Sequence, residues 1–152
     1  MSTPFPSPGD KAELESGDRL TPKFGPDGLV TCVATDAASG EVLMLAHMNA
    51  EALALSIKTG IAHYWSRSRQ ELWLAVGKKP TVPTIVEMRV DCDQDAVWIR
   101  VEVGGDGNSC HTGRRSCFYR SVPLGHAPAD TRLGFDEPNG ACRVSYSPLD
   151  YT

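Results

Sequence analysis

The strictest constraint in this sequence is a period of two. In "TIVEMRVD", residues 84–91, Val86, Met88 and Val90 alternate with Glu87 and Arg89. In "AVWIRVEV", residues 96–103, Val97, Ile99, Val101 and Val103 alternate with Trp98, Arg100 and Glu102. An extended backbone sends successive side chains to opposite faces, so each stretch turns one apolar face toward a core. A chain with two such stretches must build a sheet. Between them lies "VDCDQDA", Val90 to Ala96, which places three carboxylates and a thiol in five consecutive residues.

The rest of the pattern supplies partners for that sheet. "LVTCVATD" and "EVLMLAHM", separated by the turn-like "AASG", read as a hairpin. "NAEALALSIKTG" reads as a helix, with Asn49 as its N-cap, Glu51 in its first turn and Gly60 at its end. "AHYWS" and "ELWLAV" are short aromatic strands joined by the charged "RSRQ", and "SCHTGRRSCFYR" leads into a last strand. The expected fold is α+β: a single compact domain over residues 28–121, with an antiparallel-rich sheet and one main helix. A flexible N-terminal arm, 1–27, is rich in Pro, Gly and charge, and an irregular C-terminal extension covers 122–152.

At 152 residues the chain is long enough to bury an ordinary core without disulfides or a structural metal. Its net charge of −4 argues against a nucleic-acid partner, which requires a basic stripe. "MSTPFPSPGDK" lacks the basic-then-apolar pattern of a signal peptide, and no apolar run approaches the ~18–20 residues of a membrane span. A cytoplasmic location is expected. In a reducing compartment the five cysteines, Cys32, Cys92, Cys110, Cys117 and Cys142, point to metal binding or catalysis rather than to a disulfide framework.

Two clusters carry chemistry. Asp91, Asp93 and Asp95 have the spacing that opens an EF-hand calcium loop, and Glu102 falls at its twelfth position. The sixth position is Ala96 instead of Gly, however, and strands flank the segment where helices should. If the strand continues through this segment, all three Asp side chains crowd onto one side and repel unless a cation sits among them, while Cys92 points the other way. Hard oxygen donors suit magnesium or calcium. The second cluster is Cys110, His111 and Cys117. Its C-x6-C spacing is not that of a zinc finger, and two inert buried thiols would also satisfy it. With Cys92 added, three thiolates leave one position open, the layout of a catalytic zinc site, and His111 is then a general acid or base, or itself a ligand. Arg67 and Arg69 in "SRSR", and Arg114 and Arg115 in "GRR", are paired guanidiniums in an acidic chain and suit a phosphorylated ligand.

Together "EVLMLAHMNAEAL", "GIAHYWSRSRQELW", "EMRVDCDQDA" and "SCHTGRRSCFYR" closely resemble the phosphoribosyl-AMP cyclohydrolase family of histidine biosynthesis, from about Leu29 to Ser121. The resemblance implies a hydrolase that opens the adenine ring of 1-(5-phosphoribosyl)-AMP between N1 and C6. It implies zinc at Cys92, Cys110 and Cys117, and magnesium at Asp91, Asp93 and Asp95. It also implies an intertwined homodimer in which Cys92 of one subunit joins Cys110 and Cys117 of the other. The purine and pyrimidine deaminases activate water on zinc in a similar way, but their H-x-E and P-C-x-x-C signature is absent here. His111 is the expected proton carrier, and the four arginines are candidates for the substrate's two phosphates.

One segment departs from the family pattern. After Trp73 the family typically reads K-G-E-T-S-G, whereas this chain reads "LAVGKKPTVP", residues Leu74 to Pro83, with unchanged spacing to Asp91. That motif's roles do not transfer to residues 75–80. Two readings follow: a working cyclohydrolase in which Lys78 and Lys79 supply replacement charge, or a paralogue that binds zinc and a nucleotide without turnover. The intact thiols, carboxylates and His favour the first.

Overall fold

The structure, a computed structural model, describes residues 3–73, 83–104, 109–110 and 112–136. Four strands form the main sheet: β1 (Val30–Asp36), β2 (Val42–Met48), β5 (Thr84–Val90) and β6 (Ala96–Glu102), in the order β2-β1-β6-β5. The β1/β2 pair is the hairpin expected from the sequence, and the two alternating stretches β5 and β6 form a second antiparallel hairpin. Between the hairpins, β1 and β6 pair in parallel, so the sheet is mixed. A second, two-stranded sheet joins β3 (Tyr64–Ser66) to β4 (Glu71–Trp73). A third joins the very short β7 (Arg120–Ser121) and β8 (Gly134–Phe135).

One main helix of ten residues, α2 (Ala50–Thr59), follows β2 directly. Asn49 caps it by accepting the Ala52 N–H at 2.8 Å, and Gly60 ends it in the left-handed conformation (φ 72°) that glycine adopts without steric cost. The core is the alternating face of the central strands: Val30, Cys32 and Ala34 from β1, Val97, Ile99 and Val101 from β6, and Met44, Ala46 and Met48 from β2. Ala52 and Leu53 of α2, with Tyr64, close it. The opposite face of the sheet stays open, and there Leu45 and Trp98 are 51 % and 43 % exposed.

Two local expectations need correction. β5 does not put Val86, Met88 and Val90 on one buried face. Its register slips between Ile85 and Glu87, and this bulge pairs Ile85 with Val101 and Met88 with Ile99. Ile85 and Met88 therefore pack on the core, while Val86 and Val90 are exposed. Nor does the strand run on through 91–95. The Gln94 N–H donates to the Asp91 carbonyl at 3.1 Å, closing a turn, and Gln94 itself has φ 59°.

Residues 3–27, expected as an arm, contain a short helix α1 (Lys11–Ser16) capped by Asp10, and Phe5 and Phe24 pack against the core. No helix among the described residues is long and apolar enough to cross a membrane. Ile99 is fully buried at the centre of the sheet, between Ala34 and Met88 on the neighbouring strands. Replacing Ile99 with Ala should cost about 2–5 kcal/mol of unfolding free energy, measurable by urea denaturation. A loss well under 1 kcal/mol would show that this face is not the core.

Candidate metal centre

The β5–β6 turn gathers the carboxylates. Asp91, Asp93 and Asp95 each present an oxygen, and these atoms lie within 4.8 Å of one another. Convergence comes from the turn and not from strand alternation. The Asp91 Oδ1 accepts the N–H groups of Asp95 at 3.0 Å and Ala96 at 3.1 Å, which curls the segment around that carboxylate. Hydrogen bonding to Asp91 and Asp93, reinforced by their negative charge, lifts the Asp95 carboxyl to about 6. Its hydrogen bond to Asp93 in turn holds Asp93 below the ordinary carboxylate value. Three oxygens this close, at the surface and short of positive charge, match what a hard divalent cation requires.

The thiols of the second cluster sit elsewhere. The loop carrying Cys110 and Cys117 lies along the outer edge of β2, where the Cys117 N–H donates to the Leu43 carbonyl at 2.7 Å and the Ser116 hydroxyl to the Val42 carbonyl at 2.7 Å. Arg115 fastens the same loop to the β1–β2 turn through Glu41 at 2.7 Å and Asp36 at 3.1 Å. Cys110 and Cys117 lie close enough for each thiol to act on the other's ionisation. Burial opposes ionisation of Cys110, but the Thr112 hydroxyl at 3.0 Å, the Thr112 N–H, Cys117 and the charge of Arg114 outweigh it, and its pKa falls. Desolvation and the neighbouring Cys110 push Cys117 up to about 12. The two neighbouring thiols thus differ in acidity, Cys110 being the more acidic and Cys117 the less. His111 lies outside the described residues.

Cys92 does not join this pair. It sits in the aspartate turn, beside the start of β6, where Ala96 pairs with Thr31 of β1. Cys117 meets Leu43 at the far end of the same hairpin, where Val42 pairs with Thr35. Thr31 and Thr35 are about 13 Å apart at ~3.3 Å per residue, before the lateral spacing of the strands is added. Zinc holds its sulfurs within about 4 Å of one another. Within one protomer, therefore, the three cysteines do not form one ligand set. The aspartates are the one cluster of three or more acidic, Cys or His side chains among the described residues.

A chain belonging to a known enzyme family is recognisable in this arrangement. A model of the phosphoribosyl-AMP cyclohydrolase family matches residues 44–119, a span holding most of β2, the aspartate turn and both thiols of the β2-edge loop. The chain belongs to the phosphoribosyl-AMP cyclohydrolase family. Three curated members carry that name. The protein of Agrobacterium fabrum is 53 % identical over 148 residues, 97 % of this chain and 99 % of its own length. That of Sinorhizobium fredii is 57 % identical over 130 residues, 85 % of this chain and 86 % of its own. That of Brucella anthropi is 57 % identical over 119 residues, 78 % of this chain and 84 % of its own.

The arginines divide by environment. Arg67 and Arg69 line a cleft of about 680 Å³ between β2 and the β3–β4 hairpin, together with Trp65, Trp73 and His47. Arg114 stacks on the Tyr119 ring at 3.9 Å, and Arg115 is engaged by Asp36 and Glu41. The substituted segment begins directly after Trp73, and its residues 74–82 lie outside the described residues. Sequence reasoning missed His47. Partial burial and the nearby Arg67 charge lower its pKa against the pull of Asp27, which favours the neutral imidazole. Its signal was present in the strand period, which sets His47 with Leu45 on the open face, away from Met44, Ala46 and Met48.

In metal-free protein the Asp95 carboxyl should titrate near pH 6, visible as a carboxyl-carbon NMR shift. Asp91→Asn removes a like charge and should move that titration downward. An Asp95 that titrates near 4 in both proteins would show that the three groups do not crowd.

Proposed function

We propose that this chain is a zinc- and magnesium-dependent hydrolase that opens the adenine ring of 1-(5-phosphoribosyl)-AMP between N1 and C6, a step of histidine biosynthesis. The observation that carries the reading is the pairing of a two-thiol cluster with a three-carboxylate cluster in a chain 53 % identical to a curated cyclohydrolase over almost its whole length. The donor sets fit the two metals: thiolates for zinc, carboxylates for magnesium. Bound zinc supplies the Lewis acidity that makes water nucleophilic near neutral pH.

The chain's own residues then divide the work. Cys110 and Cys117 hold zinc with Cys92 from a second copy, because the Cys92 of the same chain lies at the other end of the sheet. Leu45 and Trp98 on the open sheet face support such an association, since exposed apolar area of this kind marks contact surfaces. Arg67 and Arg69 take a substrate phosphate in the cleft, where Trp65 and Trp73 offer ring faces to the purine. Arg114 and Arg115 are the candidates for the second phosphate, although Arg115 already holds the cysteine loop. Asp91, Asp93 and Asp95 would hold magnesium, which would supply positive charge for the substrate's anionic groups. His111 moves a proton during attack or ring opening. The substrate's N1 is alkylated and cationic, so C6 is electrophilic and N1 a good leaving group. Water oxygen bonds to C6, the C6–N1 bond breaks, and the water protons end on the departing nitrogen and the solvent.

The alternative, a nucleotide binder without turnover, rests on the substituted segment after Trp73. Named cyclohydrolases at 53–57 % identity favour catalysis instead.

Cys110→Ala should abolish hydrolysis of phosphoribosyl-AMP and lower the zinc content of the purified protein. Wild-type turnover by a zinc-free Cys110→Ala protein would sink the assignment. A complementation test addresses sharing. Cys92→Ala and Cys110→Ala chains, each inactive, are mixed under conditions that exchange subunits. Recovery of turnover is expected, because one mixed site per heterodimer keeps all three thiols. No recovery despite demonstrated exchange would mean that each site is built from one chain.

A further inference from the structure

Gln94 stands in the middle of the aspartate turn, between two of the carboxylates, yet it is buried while Asp91 and Asp95 are exposed. Its backbone lies at φ 59°, a left-handed conformation that glycine adopts freely and a side chain resists. A glutamine here needs a reason, and its side chain supplies one. The Oε1 accepts the Thr21 N–H at 2.9 Å. The Nε2 donates to the Leu14 carbonyl at 3.0 Å and to the Arg19 carbonyl at 3.3 Å. Its own carbonyl accepts the Lys23 N–H at 2.8 Å. One residue thus ties the turn to four points on the N-terminal segment. The amide's one acceptor and both its donors are used, a full set for a buried Gln.

The gripped segment is itself anchored. Thr21 is buried, and Phe5 and Phe24 stack at 6.2 Å against the core. The connection therefore runs from the core, through residues 14–23, into Gln94, and from there to the carboxylates on either side. Nothing else on the turn is comparably held. Its other hydrogen bonds, among Asp91, Gln94, Asp95 and Ala96, are internal to the β5–β6 hairpin.

We infer that Gln94 is a positioning residue for the candidate cation site, and that the N-terminal segment is the fixed body it grips to hold Asp91, Asp93 and Asp95 in converging geometry. The cation part of this inference rests on the magnesium reading above; the clasp does not. It acts without touching the cation, as the residues behind metal ligands commonly do.

The test uses the full chain as wild type, Gln94→Ala and Gln94→Gly. Glycine keeps the left-handed backbone but removes the clasp, which separates the two roles of residue 94. Leu53→Ala serves as a control for general destabilisation, being a core change in α2 remote from the turn. Hydrogen exchange is followed at Asp95 and Ala96, and Mn2+ alone is the probe of the hard-cation site. Both Gln94 variants should exchange faster at these two amides and should be nicked by protease within residues 3–24. Their Mn2+ affinity should fall by about ten- to a hundredfold. Leu53→Ala should melt at a lower temperature with its Mn2+ affinity unchanged. Unaltered exchange at Asp95 and Ala96 in Gln94→Gly would overturn the clasp. Faster exchange with unchanged Mn2+ affinity would overturn the positioning role. Failure of the wild type to bind Mn2+ would refute the magnesium reading instead, and the exchange comparison would still decide the clasp.

Discussion

The parallel pairing of β1 with β6 is the contact on which the rest of the molecule depends. Two antiparallel hairpins, β1–β2 and β5–β6, each form from local sequence and meet only along this line. Closing it brings together residues more than sixty positions apart and buries the alternating faces of both hairpins against each other and α2. It also fixes the polarity of the sheet. The β5–β6 turn falls beside the start of β1, and the β1–β2 turn falls beside the end of β6. The carboxylates and the thiol pair inherit those two positions. A shift of register here would exchange the faces of every residue in β6 and separate the site from its support.

Electrostatic crowding is tolerated in the aspartate turn because the backbone absorbs part of it. The Asp91 carboxylate takes two main-chain N–H groups, and Asp95 keeps its proton well above the ordinary carboxylate range. The thiol pair solves the same problem by asymmetry, with Cys110 made more acidic and Cys117 less. In both clusters like groups share one proton more readily than they bear two charges. That shared proton is how a crowded surface cluster differs from a merely acidic one.

Much of the fold was legible because period-two alternation and capping residues are local signals. The β1–β2 hairpin, the helix between Asn49 and Gly60, and the buried face of Val97, Ile99 and Val101 follow directly from them. The bulge at Val86 was not legible, since one extra residue in a strand leaves no mark in a pattern of Val, Glu, Met and Arg. The parallel β1–β6 contact was hidden for a related reason: pairing partners of strands are set by the whole chain and not by either strand. At the site, the sequence carried residue types but not their geometry. The three Asp side chains converge, but through a turn with a left-handed Gln94 and not through an extended strand. The role of Gln94 itself was invisible, because a glutamine between aspartates looks like one more polar residue until its partners on the N-terminal segment are known.

Cys32 has been only a core residue so far. It is fully buried in β1, and desolvation pushes its thiol up to about 12. A thiol in that state is almost wholly protonated at neutral pH and out of reach of alkylating reagents. Cys92, by contrast, lies open at the surface. The folded chain thus holds accessible sulfurs at Cys92, in the β5–β6 turn, and at Cys117, and a silent one in β1 that becomes reactive only when that strand parts from its neighbours. The protein carries an internal indicator of its own unfolding, readable by the order in which its thiols are labelled.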